Sequence, residues 1–220
     1  MSSIAERLDA IRVTIPSGVR LLAISKYYPV EDVLEAYNAG QRDFGENKAQ
    51  DLVAKHQALP TDIRWHFTGH LQSNKIKYIA PFVYMIHSVD SLQLLREINK
   101  HGAKNGRIIP CLLQIHIAQE DTKFGFTPDE CLAMLSAEEW KEFKNVHIRG
   151  LMCMASNTDD IQQVASEFTA VRALFDEIRN RWFADDEEFD TLSAGMSGDY
   201  LTAIEAGSTC VRIGSSIFED

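Results

Sequence analysis

At 220 residues, with 45% hydrophobic and 25% charged residues, the chain can bury a substantial core and is not a disordered polymer. Lys and Arg total 22 against 32 Asp and Glu, a formal charge of -10. That balance excludes a surface built to neutralise duplex phosphates, while a few N–H groups and one or two cations can still grip a small anion.

The first ten residues carry Glu6, Arg7 and Asp9 where a signal peptide needs an apolar stretch, and no run approaches the ~18 apolar residues of a membrane span. A cytoplasmic protein with no membrane or nucleic-acid partner is expected. Ser2 to Val13 predicts a helix, with Ser3 as N-cap and Ile4, Leu8 and Ile11 on one face. Short β-rich runs follow at Leu21–Lys26, Asp43–Asn47, Arg64–Gly69, Tyr84–Asp90, Ile108–Ile117, Val146–Met154, Asp190–Met196 and Cys210–Ser215. The first four end at steps of 21, 22 and 21 residues, the length of a strand, a loop, a helix and a loop. The clearest helix runs from Asp160 to Trp182, where Val164, Phe168, Val171, Phe175, Ile178 and Trp182 form one stripe. No linker divides the chain, and the acidic run Asp185–Glu188 sits in a turn. One domain over residues 1–220 is therefore expected, an α/β (β/α)8 TIM barrel in which the N-terminal helix covers the position of an eighth helix. A doubly wound open sheet is the alternative.

In such barrels the strand C-terminal ends form the active face. Strand one ends in Lys26, read as partly desolvated and able to attack an aldehyde to form a Schiff base; a lysine snorkelling from a sheet edge is the plainer reading. Lys48, Lys75 and Lys123 are weaker candidates, in loops or first helical turns. Strand seven leads through Ser193, Met196 and Ser197 into a helix starting at Tyr200, where free N–H groups attract an anion; ordinary capping by Ser197 explains that residue equally well. Strand eight carries Arg212, projecting into the barrel, then Gly214 and Ser215, a second grip for a phosphate. A lysine for an aldehyde, paired N–H groups for a phosphate and a cation for a ring nitrogen describe pyridoxal 5′-phosphate.

The segments Ala23–Lys26, Phe44–Asn47, Trp65–Lys75, Lys123–Phe126, Arg149–Met152 and Leu192–Ser215, above all His66–Lys75 and Gly207–Gly214, resemble the pyridoxal phosphate homeostasis protein family along nearly the whole chain. The resemblance implies a single, usually monomeric barrel, similar to the N-terminal domain of alanine racemase, that binds pyridoxal 5′-phosphate without established turnover. Its role would lie in vitamin B6 and amino-acid homeostasis. It also implies Lys26 as the Schiff-base lysine, Arg212 as the pyridine-nitrogen partner and Asn47 as a ring contact. Ser193, Met196, Ser197, Gly214 and Ser215 fall on the phosphate side. The chain departs from the family at Ala194, often Met, and in its last residues Ser216–Asp220, where Gly and Arg often follow.

Other residues take ordinary structural readings. His66, His70, His87 and His116 read as hydrogen-bonded structural histidines, Ser73 as an N-cap, and Met152, Cys153 and Met154 as barrel filling. Tyr27 and Tyr28 could screen the imine or simply pack. Cys111, Cys131, Cys153 and Cys210 lack zinc spacing and read as free buried thiols, so no metal is expected. A cofactor carrier, with pyridoxal phosphate-dependent apo-enzymes as recipients and no catalytic residue, is favoured over a racemase-like enzyme. Arg212 favours an unprotonated ring, and one barrel uses nearly the whole length. A cofactor-free Schiff-base aldolase would leave Arg212 without a role.

Overall fold

The computed structural model describes residues 2–118 and 124–219. The strands are β1 (Arg20–Ile24), β2 (Asp43–Glu46), β3 (Arg64–Phe67), β4 (Met85–Val89), β5 (Ile109–Ile115), β6 (Val146–Cys153), β7 (Thr191–Ser193) and β8 (Cys210–Ile213). They are parallel, pair in chain order, and close because β8 lies beside β1, with Arg20 opposite Cys210 and Ala23 opposite Ile213. That last pairing excludes the open sheet.

Each strand ends one to three residues before its sequence-based end. The residues after the last ladder hydrogen bond peel away into loops, and it is those residues that carry the chemistry. The helices are α1 (Ile4–Thr14), α2 (Val30–Asn38), α3 (Ala49–Ala58), α4 (Ile76–Ile79), α5 (Leu92–Lys104), α6 (Pro128–Ser136), α7 (Ile161–Trp182), α8 (Tyr200–Glu205) and α9 (Ser215–Phe218). On α7 the stripe Val164, Phe168, Val171, Phe175 and Ile178 is buried, and Trp182 is partly buried against the same core.

With only four residues, α9 cannot cover β8 as a full helix would. α1 does so: Ser3 and Glu6 form a reciprocal capping box, Ile4, Leu8 and Ile11 are buried, and Arg7 Nε donates to the Ile217 carbonyl at 2.8 Å. Ser73 opens a 3-10 turn, Ser73–Lys75, without acting as a cap; Gln72 holds that position and makes no side-chain cap bond.

The four cysteines are free and buried, and burial pushes the Cys131 and Cys153 thiols up to about 12, so both stay protonated and inert. Among the described residues no helix is long and apolar enough to cross a membrane.

Candidate functional site

The end of β1 is fastened from below. Ser25 is fully buried; its N–H donates to the Gly45 carbonyl at 3.0 Å and its hydroxyl to Glu46 Oε1 at 2.7 Å. Lys55, reaching in from α3, donates to both the Ser25 carbonyl and Glu46 Oε1 at 2.6 Å. Above this clamp the chain turns sharply: Tyr28 N–H bonds back to the Ser25 carbonyl at 3.2 Å, and Tyr27 takes a φ of 73°. A left-handed backbone costs a non-glycine residue about 1 kcal/mol or more. The turn holds Lys26 and Tyr28 at the mouth of the barrel. Lys26 is exposed, not partly desolvated as expected from its place after an apolar run, because β1 stops two residues earlier.

A cavity of about 420 Å³ opens at this end of the barrel. Lys26, Asn47, Met196, Ser197, Arg212, Gly214 and Ser215 all line it, so seven of the eight residues singled out from the sequence share one cleft. Ser193 does not. It lies wholly buried below the cleft, on the interior side of β7, and its hydroxyl accepts from Arg212 Nη1 at 2.8 Å. Lys48 and Lys75 line a separate recess of about 300 Å³, and Lys123 lies outside the described residues. Thr68 and Glu219 line the cleft without having been anticipated. Thr68 follows β3 as Lys26 follows β1, so the strand-end rule could have found it. Glu219 arrives only because the tail folds back, its carboxylate accepting from Tyr28 at 2.5 Å while Phe218 stacks on the Tyr28 ring.

Two short segments supply donors. The N–H groups of Ser197, Gly198, Ser215 and Ser216 have no protein acceptor. Met196 N–H is already taken by Asp199 Oδ1 at 2.5 Å, and Ser197 does not cap α8; its hydroxyl accepts from Gly214 N–H at 3.3 Å. Since α8 and α9 have six and four residues, the loose N–H groups, more than an accumulated dipole, draw an anion here.

Arg212 is 5% exposed and has no carboxylate partner. Its Nη1 donates to the carbonyl and hydroxyl of Ser193, and its Nη2 to the Cys153 carbonyl, each at 2.8 Å. Of the five guanidinium donors, Nε–H and one Nη2–H are left without a protein acceptor.

Below Arg212 the barrel interior is polar. His87 and His66 are completely buried, and burial is the main force lowering the affinity of both imidazoles for a proton. For Asp43, burial works to raise the pKa, but bonds from Arg64 and His66 outweigh it and hold the carboxyl well below the usual range. In the unfolded chain both histidines bind protons below about pH 6.5, whereas in the fold they resist doing so until lower pH. Stability is therefore fully present above that value and falls as pH drops through it, with a slope approaching about 2.7 kcal/mol per pH unit for two protons. Urea unfolding at a series of pH values between 7.5 and 5 checks this; a flat profile contradicts neutral buried histidines.

A parallel barrel closed over a strand-end cleft defines a class, and the chain belongs to it: residues 1–220 match the family of the alanine racemase N-terminal domain. Within that class the chain belongs to the pyridoxal phosphate homeostasis protein family. It is 38% identical over 205 residues to the family's protein from Pasteurella multocida, covering 92% of this chain and 86% of that one. It is 37% identical over 228 residues to that of Schizosaccharomyces pombe, covering 99% and 93%. Among solved structures, PipY of Synechococcus elongatus PCC7942 with PLP bound superposes with a TM-score of 0.88 at 34% identity, covering 98% of this chain and 100% of PipY. An alanine racemase of Clostridium difficile 630 shares the fold, with a TM-score of 0.79 at 13% identity, and this chain covers 56% of it.

Proposed function

We propose that this chain is a cytoplasmic pyridoxal 5′-phosphate-binding protein of vitamin B6 and amino-acid homeostasis, with residues 1–220 acting as one barrel unit. The observation that carries the reading is the convergence, in one cleft of a member of this family, of a lysine, a buried arginine with two spare donors and the acceptor-free N–H groups of Ser197, Gly198 and Ser215. When bound, pyridoxal 5′-phosphate supplies an aldehyde that condenses with a primary amine, together with a phosphate dianion.

The residues present fit that group. Asn47 Oδ1 is buried at the cleft without any partner, an orphan that a ligand would satisfy. A Cβ on Gly214 would stand 3.1 Å from the Ile24 carbonyl, so any side chain here would press the Ser215 turn a few tenths of an ångström away from the end of β1. In this reading Lys26 presents the amine, and the N–H groups of Ser197, Gly198 and Ser215 hold the phosphate, with Gly214 bringing the Ser215 turn within reach. Met152 and Met154 would offer soft apolar surface to the ring, Asn47 would meet its edge, and the spare donors of Arg212 would serve the ring nitrogen.

Two tyrosines, Tyr27 and Tyr28, line the cleft. Tyr28 is pushed up to about 12, first by burial and then by its bond to Glu219, so it stays protonated at neutral pH and is a poor base for removing a proton from a bound amino acid. A carrier or buffer that serves pyridoxal phosphate-dependent apo-enzymes as a monomer is the reading adopted; a racemase-like enzyme is the alternative.

Two measurements test it. Pyridoxal lacking the phosphate should bind about 100-fold more weakly than pyridoxal 5′-phosphate, the effect of two or more charge-assisted hydrogen bonds. Equal affinities would remove the phosphate grip. In deuterated buffer, α-proton exchange of L-amino acids should stay far below the ~1 per second of a slow enzyme, and faster exchange lost in Lys26→Ala would establish the racemase-like alternative.

A further inference from the structure

Small parallel barrels are ordinarily filled by layers of apolar side chains. Here Leu22, Ile24 and Cys210 form one such cluster and Met85, Leu112 and Met152 another. Alongside them runs a polar thread of buried residues, Asp43, His66, His87, Ser193 and Arg212. Its links are unbroken: Asp43 Oδ1 to His66 Nε2 at 3.0 Å, His66 Nδ1 to His87 Nε2 at 2.9 Å, His87 Nδ1 to Ser193 Oγ at 3.1 Å, and Ser193 Oγ to Arg212 Nη1 at 2.8 Å.

The chemistry of the two ends sets the direction of every link. Arg212 can only donate, so Ser193 Oγ accepts there. The Asp43 carboxylate can only accept, so His66 donates to it through Nε2 and, with one proton, accepts at Nδ1 from His87, whose free Nδ1 in turn accepts the Ser193 proton. Both histidines thus carry their proton on Nε2. Each imidazole holds one proton, and each link has one donor and one acceptor. A second proton on His87 would take away the acceptor that orients the Ser193 hydroxyl, in a place where water cannot replace it.

The upper end of the thread faces the cleft. Ser193 Oγ occupies one Nη1 proton of Arg212, while the Ser193 and Cys153 carbonyls occupy two more. Only then does the guanidinium present a single edge, Nε–H and one Nη2–H, to a ligand.

We propose that His87 is a positioning residue for the cofactor: by accepting the Ser193 proton it fixes Ser193 Oγ as an acceptor for Arg212, and so sets which edge of Arg212 faces the bound ring. His87 touches no ligand itself. The inference rests on the reading of Arg212 as the ring-nitrogen contact.

The test compares binding of pyridoxal 5′-phosphate, and the absorption maximum of the bound cofactor, in wild type, His87→Leu, His87→Asn and Ser193→Ala, each also combined with Arg212→Gln. His87→Leu should weaken binding about tenfold and displace the absorption maximum, the effect of disturbing one charge-assisted contact. Ser193→Ala, which removes one oxygen and leaves the fold its packing, should do the same. His87→Asn, whose Oδ1 stands in for Nδ1 as acceptor, should restore both readouts. In the Arg212→Gln background the His87→Leu change should have no further effect, because it acts through Arg212. Losses that simply add in the double variant, or a His87→Leu protein with wild-type affinity and spectrum, would overturn the positioning role alone. Wild-type protein that gains no cofactor band would overturn the reading of the cleft, and the role of His87 with it.

Discussion

Borohydride reduction of wild-type protein mixed with pyridoxal 5′-phosphate is expected to fix one cofactor on Lys26, and the same treatment of Lys26→Ala to fix none. Placement, not burial, singles this lysine out, since its side chain is exposed. The clamp of Ser25, Glu46 and Lys55 holds the strand end beneath it, and the Tyr27 turn aims it at the cleft that Arg212, Ser197 and Ser215 share. Lys48 is the nearest competitor: its ammonium lies 5.7 Å from the Tyr27 ring centre, the same distance as that of Lys26. It belongs, however, to the neighbouring recess beside Lys75, away from the phosphate donors. Lys55 is consumed by its buried partners. The removal of Lys26 should therefore abolish the visible band and not merely move the adduct. Peptide mass mapping decides the matter; a wild-type adduct on Lys48, Lys75 or Lys123 contradicts the assignment.

How much of this was legible beforehand depended on the range of the interactions involved. The barrel could be read because β1 to β4 recur at nearly constant spacing, and apolar runs mark most strands. β7 has only three residues and survives in the reading through its small-residue tail. Strand ends were overestimated because Ser25–Lys26 and Ala194–Met196 look extended, while the backbone turns there through Tyr27 at φ 73° and Gly195 at φ 94°. Lys26, Arg212, Gly214 and Ser215 can be placed at one end of the barrel from sequence because each stands close to or just beyond a strand end, where local sequence decides placement. Ser193 lies one layer below the cleft residues: it faces the interior, but β7 ends at it and the chain bends away above. The pairing of His66 with His87 was not visible as chemistry. Their separation of 21 residues matches the strand repeat, and that is the one signal that could have brought them together on neighbouring strands. Glu219 depended on the tail folding back to Tyr28, a contact across 191 residues that no local pattern announces.

Lys55→Met is expected to be the most destabilising single change at the site. Glu46 is 0% exposed; its Oε1 accepts from Lys55 and Ser25, while Oε2 has no partner at all. With the ammonium gone, a carboxylate stays buried with one hydroxyl for company, and breaking such a pair from one side costs about 3 to 5 kcal/mol. Against a total stability of about 5 to 15 kcal/mol, that is a large fraction. The pair need not contribute so much when intact, because its attraction mainly offsets the desolvation of both charges. Adding Glu46→Gln removes the stranded charge, so the double variant should recover about half of the loss or more, and urea unfolding of the three proteins measures both steps. The consequence for function follows from the second bond of Lys55, to the Ser25 carbonyl. That carbonyl also closes the Tyr27 turn, so both Lys55 variants should capture pyridoxal 5′-phosphate on Lys26 more slowly, including the double variant whose stability is largely restored. A Lys55→Met protein within about 1 kcal/mol of wild type, the range of an exposed ion pair, would show that the clamp is more solvated than its geometry states.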